Sequence, residues 1–301
     1  MGRFSRVQAL KVLTVVSTQL AGTTLPQAGD LLSKARDSRT KPVALTVAAL
    51  DPSGGAGIAA DLRTFAAEGV WGCAVMTAIT YQNTVEVTGW EAVGAHSVTA
   101  QLETLLGDVY VDAVKLGMAG TSETCHAIAN VLEGMGQRRP KLVIDPVLRS
   151  SNGASLGSDD LAEALAASLI PLALLVTPNL DEASVLVGSE IAGVADMAEA
   201  SRAICEMGAE AVLVTGGHGE GDVVSDVLCH CGEIVVFESE RIASPDNHGT
   251  GCVLSAAIAA SLAKGNSLNE SVLAGRSRVA SAIARGFALG AGAGPVEPLE
   301  S

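Results

Sequence analysis

Aromatic residues make up only 3% of this 301-residue chain, and Lys and Arg together number 19 against 33 Asp and Glu. The shortage of aromatics, beside 33 glycines, disfavours a β-sandwich and suits short strands with closely packed helices. The formal charge of −14 argues against a broad nucleic-acid or anionic-membrane surface, because phosphate backbones are held by clusters of basic side chains. A small anion can still be held by backbone N–H groups. No run of about 20 apolar residues is present to span a bilayer. The six cysteines are irregularly spaced without a secretory signal, which predicts reduced cytosolic thiols. Cys229-His230-Cys231 has no second ligand pair, and strand alternation sets its thiols and its imidazole on opposite faces, so it makes a poor metal site.

What is present is apolar: hydrophobic residues are 48% of the chain and charged residues 17%, enough to bury a large core. Residues 1–41 stand apart, with Arg3, Arg6, Lys11, Lys34, Arg36, Arg39 and Lys41 outweighing Asp30 and Asp37. Such a basic leader resembles an organelle transit peptide, and it is read equally as a plain N-terminal extension. Residues 42–301 read as a single domain with no internal repeat or clear linker.

Strands are expected at Val43–Leu50, Gly72–Thr80, Val111–Met118, Leu142–Val147, Leu172–Thr177, Ala211–Thr215, Val227–His230 and Ile234–Glu238. Most are continuous apolar runs, the pattern of strands covered on both faces. Apolar residues at helical spacing, such as Ile58, Leu62 and Phe65, lie between them. The prediction is an α/β fold with a mostly parallel sheet, helices on both faces, and the last two strands as an antiparallel hairpin near one edge. Helices are expected at Gly251–Lys264 and Leu268–Leu289.

Polar punctuation follows the strands at Asp51, Gln82, Lys115–Met118, Asp145, Thr177–Asn179, Thr215–Gly217 and Asn247–Cys252. In open α/β sheets the C-terminal strand edge is where ligands bind. Asp51-Pro-Ser-Gly-Gly-Ala-Gly57 lacks the later acidic residue of a dinucleotide fingerprint, since none lies between Glu68 and Glu86, and lacks the Gly-Lys-Ser/Thr of a Walker loop. Its functional reading is a turn bare enough for a flat substrate to approach the backbone.

Asn247-His-Gly-Thr-Gly-Cys252 opens an apolar helix, so its amides and the helix N-terminus make an anion hole without lysine. A transferring phosphoryl group needs that stabilisation. Cys252 in the first turn is expected to favour thiolate and to take a proton or orient a hydroxyl; otherwise it is a structural cysteine in a helix cap. Asn179 and Glu182 suit Mg²⁺ with nucleotide phosphates, and equally suit a capping box, and the two roles are compatible.

These motifs, taken with Asp61, Gln82-Asn-Thr84, Lys115-Leu-Gly-Met118, Asp145-Pro-Val147, Thr177-Pro-Asn-Leu180 and Gly216-Gly-His218, resemble the hydroxymethylpyrimidine/phosphomethylpyrimidine kinase family of thiamine biosynthesis. The resemblance covers about residues 43–290 and implies a ribokinase-like fold. It implies ATP-dependent phosphorylation of 4-amino-5-hydroxymethyl-2-methylpyrimidine and/or its monophosphate, with Mg²⁺. By that resemblance Asp61 and Gln82 hydrogen-bond the pyrimidine while Met118 and Val147 pack on its ring. Gly249, Gly251 and Cys252 carry catalysis, Glu182 and Asp145 organise the metal with Asn179, and Asn179 with Thr215, Gly216 and Gly217 follows the nucleotide. A cytoplasmic homodimer is implied, organellar if residues 1–41 are a transit peptide. The sequence departs from the family at Ala49-Leu50, at Thr215 and at Arg149-Ser-Ser-Asn-Gly153, which bears on the second phosphorylation more than on the fold. A pyridoxine or pyridoxal kinase and a non-catalytic pyrimidine sensor are the competing readings.

Overall fold

The computed structural model describes residues 39–149, 153–217, 219 and 221–299. The basic leader therefore lies, but for its last few residues, outside the described residues.

Strand β1 (Val43–Leu50) is buried along all but its last residue, as its unbroken apolar run requires. It lies between parallel neighbours β2 (Trp71–Gln82) and β4 (Ala113–Leu116). Strands β5 (Lys141–Ile144), β6 (Leu175–Val176) and β7 (Ala211–Val214) continue the parallel array. Antiparallel β8 (Val223–His230) and β9 (Glu233–Glu240) close one edge as the expected hairpin. Antiparallel β3 (Val87–Ala92) closes the other, giving the order β3-β2-β1-β4-β5-β6-β7-β8-β9. The chain leaves β1 toward β2 and later returns to its opposite side with β4. A crevice opens at such a switch point, just beyond Leu50.

Helices α1 (Gly57–Ala67), α7 (Thr250–Ala263) and α8 (Leu268–Ala284) cover one face of the sheet. The other face carries α2 (Ala95–Leu106), α3 (Ser122–Gly134), α4 (Leu161–Ala164), α5 (Leu180–Val187) and α6 (Val194–Glu206). Helix α7 is buried on every side from Val253 to Ala263, packed between the sheet, α1 and α8. Its small apolar residues permit this, since a helix apolar all round has no face to give to water.

The sequence expectation omitted β3. Its half-exposed Val-Thr-Gly-Trp-Glu-Ala shows neither a continuous apolar run nor regular alternation, and it is held by hairpin pairing with β2. The turn between them is an Asn83 structure: its side-chain oxygen accepts from the amides of Val85 at 2.8 Å and Glu86 at 3.0 Å. Strand β6 is shorter than expected because Ile170–Leu172 forms a 3₁₀ turn around Pro171. Cys231 lies beyond β8 in a turn at φ 52°, so strand alternation does not govern its thiol.

Candidate active site

The loop after β1 is organised by the Asp51 carboxylate, which is nearly fully buried. It accepts from the Ser53 amide at 2.8 Å, the Ser53 hydroxyl at 2.9 Å and the Ala56 amide at 2.9 Å. His248 Nε2 lies 2.9 Å from its second oxygen, joining this loop to the one before α7. Burial opposes ionisation, but the bonds from His248 and Ser53 hold the Asp51 carboxyl below the usual carboxylate range. The two loops also interlock through backbone. Gly249 has φ 88°, and a Cβ there would strike the carbonyl oxygen of Gly55. Only glycine fits that conformation and that approach.

Gly249 caps α7, leaving the Thr250, Gly251 and Cys252 amides at the helix start, where intrahelical partners end. Asp145 faces them: a Cβ on Gly251 would stand 3.9 Å from Asp145 Oδ1. The Ser255 hydroxyl donates to Asp145 Oδ2 at 3.1 Å. The Gly57 amide donates to the Cys252 sulfur, but burial pushes that thiol up to about 12, with Lys115 opposing and Asp145 and Asp61 adding to the rise. The thiol is therefore neutral in the free protein, which corrects the expected thiolate. Desolvation and two carboxylates outweigh the helix N-terminus.

Met118 and Val147 come together with Ala49, Ala78, Leu156, Val87 and Trp90 in one small apolar cluster. Gln82 ends β2 beside it, half-buried. Asp61 does not join them. Its side chain is 0% exposed and bonds Thr46 Oγ1 at 2.6 Å and Lys115 Nζ at 3.0 Å through both oxygens. The expected contact between Asp61 and the pyrimidine is incompatible with this placement. Helix α1 presents Asp61 to the sheet beneath the site.

At the neighbouring strand ends, Asn179 and Glu182 form a reciprocal capping box on α5, each carrying a 2.9 Å bond to the other's amide. Burial, then Asp145, pushes the Glu182 carboxyl up to about 8. Two carboxylates share one desolvated place, with only the Lys115 ammonium 3.7 Å from Asp145 opposing their charge, and hard oxygens of this kind fit Mg²⁺. Among the described residues no cluster of three or more His, Cys, Asp or Glu could hold a metal, so phosphate oxygens and water would complete the shell. Thr215 bridges to Asn179, placing the next loop beside the capping box. The Gly216 amide donates to Asp226 at 3.0 Å. Arg241 donates to the carbonyls of Gly217 at 2.7 Å, Gly219 at 2.6 Å and Gly221 at 2.6 Å. Arg149 is exposed, and residues 150–152 of its loop, like His218, lie outside the described residues.

Sequence reasoning missed Trp90, Leu156 and Arg241, which local pattern does not mark. It quoted Lys115 without a role, although a lysine inside the buried run Ala-Val-Lys-Leu is itself a signal.

Comparison with known proteins shows what the whole chain is similar to. Residues 51–297 match the family model described as phosphomethylpyrimidine kinase. A hydroxymethylpyrimidine/phosphomethylpyrimidine kinase of Rhizobium meliloti is 47% identical over 257 residues, covering 84% of this chain and 96% of the relative. The ADP complex of Bacillus subtilis pyridoxal kinase superposes with a TM-score of 0.78 at 37% identity, over 86% of this chain and 97% of its own. A phosphomethylpyrimidine kinase from Clostridium difficile gives 0.71 at 37% identity, over 81% and 100%.

Proposed function

This chain belongs to the phosphomethylpyrimidine kinase family, and from that membership we propose which of its residues carry the reaction. It is a phosphotransferase of thiamine biosynthesis that uses ATP to phosphorylate 4-amino-5-hydroxymethyl-2-methylpyrimidine and/or its monophosphate.

The observation that carries the assignment of roles is the interlock of the two glycine loops, with Gly249 against Gly55 at the N-terminus of α7 and Asp145 facing Gly251. The pyrimidine lies in the apolar cluster of Met118 and Val147, on the bare backbone of Gly54–Gly57, with Gln82 hydrogen-bonding its ring edge. ATP lies along Asn179 and Thr215–Gly217, its γ-phosphoryl against the amides of Gly249–Cys252. The acceptor oxygen, the hydroxyl of the pyrimidine or a phosphate oxygen of its monophosphate, forms a bond to the γ-phosphorus as the bond to the leaving ADP oxygen breaks, and a hydroxyl proton passes late to an oxygen of the transferred phosphoryl group. A loose transition state needs little nucleophile activation, so a neutral Cys252 thiol that orients the hydroxyl suffices. Mg²⁺, held by Asp145 and Glu182, would neutralise phosphate charge. The amides need no reorganisation at the moment of transfer.

We assign the protein to the cytoplasm, in keeping with its bacterial relatives. Exposed Trp71, Ile79 and Tyr81 on β2 support a homodimer. Pyridoxal phosphorylation is the second reading, favoured by the likeness to the Bacillus subtilis enzyme. A coupled ATP-consumption assay with hydroxymethylpyrimidine, its monophosphate and pyridoxal tests both. Turnover with pyridoxal alone would reverse the substrate assignment, and no turnover with any of the three would remove the kinase reading.

A further inference from the structure

The proposal that follows rests on the kinase reading above and concerns a lysine to which that reading gives no part. Lys115 sits in the middle of β4, paired with Thr46 on β1 and Val143 on β5, and its side chain is 0% exposed. Alternation turns it toward α1 and α7, the face on which Ala44, Ala113 and Val143 also point. Its Nζ lies 3.0 Å from each oxygen of Asp61 and 3.7 Å from Asp145 Oδ2. Thr46 Oγ1 donates to Asp61 from the far side at 2.6 Å, which fixes the carboxylate facing the ammonium. Gly117 provides the room: a Cβ there would stand 2.9 Å from Nζ and 3.2 Å from the Ala48 methyl.

Stability alone does not call for this arrangement, because a buried ion pair commonly gains nothing over well-packed apolar residues of the same volume. What the pair does provide is a cation whose place is set to within a bond length. One Asp61 oxygen pair takes most of its donors, and its remaining reach is toward Asp145, the carboxylate that faces Gly251 at the start of α7. We propose that Lys115 is a positioning residue of the kinase. Its buried ammonium, aimed by Asp61 and admitted by Gly117, holds Asp145 against the anion hole and sets a fixed positive charge beneath Cys252. The ammonium faces carboxylate oxygens of both Asp61 and Asp145, which favour its charge against burial. In a desolvated site, a charge placed before the reaction contributes without reorganisation.

The test separates charge from packing. Lys115→Met alone leaves Asp61 buried and unpaired, so the informative protein is Lys115→Met/Asp61→Asn, which removes both charges and keeps both volumes. Thermal midpoint, kcat and KM for ATP are measured beside the wild type with hydroxymethylpyrimidine. The expected result is a folded protein with KM for ATP within about threefold and kcat lowered by at least about tenfold, less than the loss of a direct anion-hole donor. A folded variant with a smaller loss of kcat overturns the proposal. Should the double variant not fold, Gly117→Ala decides, since it keeps both charges and displaces the ammonium. A loss of kcat of about threefold or more at unchanged KM for ATP is expected there from a small shift of a preorganised group, and a smaller loss overturns the proposal. An inactive wild type would instead count against the kinase reading itself.

Discussion

His248 Nε2 stands 2.9 Å from Asp51 Oδ2, and through that bond two loops 197 residues apart in sequence close on one another. The His248 backbone is held in turn by the C-terminal tail, its amide donating to Gly294 at 3.1 Å and its carbonyl accepting from Val296 at 3.1 Å. The ring-side loop, the anion hole and the tail thus form one braced unit.

That brace predicts a pH signature. The Asp51 carboxyl is depressed in the folded protein, so its contribution to stability is fully present above the unfolded value of 3.8 and is lost as pH falls through the lower folded value. Asp51→Asn should lower the thermal midpoint by a constant amount from pH 5 to 7. Below pH 4 the difference should shrink, and a gap that persists into strong acid would assign the effect to shape alone.

Cys252→Ala should reduce kcat by about a hundredfold with KM for ATP little changed, as loss of a group that orients the attacking hydroxyl does. Because burial pushes the thiol up to about 12, alkylation of Cys252 by iodoacetamide should climb steadily from pH 7 to 9 without levelling. Peptide mass spectrometry follows the site, and a plateau near neutrality would restore a standing thiolate.

For Glu182 the sign is opposite to that for Asp51. Its folded value is raised to about 8 from 4.5, so the folded state keeps its proton longer and stability falls as pH rises between those values. Glu182→Gln should remove that fall and be the more stable protein at pH 8, since the amide still accepts from the Asn179 amide. It should also need more Mg²⁺ for half-maximal activity, because a neutral oxygen loses charge attraction for a hard cation. An unchanged Mg²⁺ requirement would leave Glu182 with the capping role only.

Asp61→Ala leaves the buried Lys115 ammonium with only its longer contact to Asp145 and should cost about 3–5 kcal/mol of stability, measured by urea denaturation. A direct substrate contact would instead raise KM for the pyrimidine in a protein of normal stability.

Trp90 packs with Met118 in the apolar cluster, its ring 3.4 Å from where a Cβ on Gly120 would stand. Trp90→Ala should raise KM for the pyrimidine about tenfold, within the usual worth of a buried aromatic face, and leave KM for ATP in place. Equal effects on both would point to a collapse of the hairpin.

The sequence by itself determined the architecture and the site's address. Continuous apolar runs at Val43–Leu50 and Ala211–Val214 can only be strands covered on both faces, and Gly249 with Gly251 before an apolar helix reads as an anion hole wherever the helix lies. Local pattern suffices there because strand burial and helix-terminal amides are properties of short segments. Tertiary structure alone decided which way Asp61 faces, that Trp90 belongs to a strand, and that the Cys252 thiol is neutral. Each depends on distant chain: Asp61 on Lys115, Trp90 on pairing with β2, Cys252 on Asp145 and on burial by surrounding elements. A side chain's partner and its desolvation are set by what packs against it, and no neighbouring residue in the sequence carries that information.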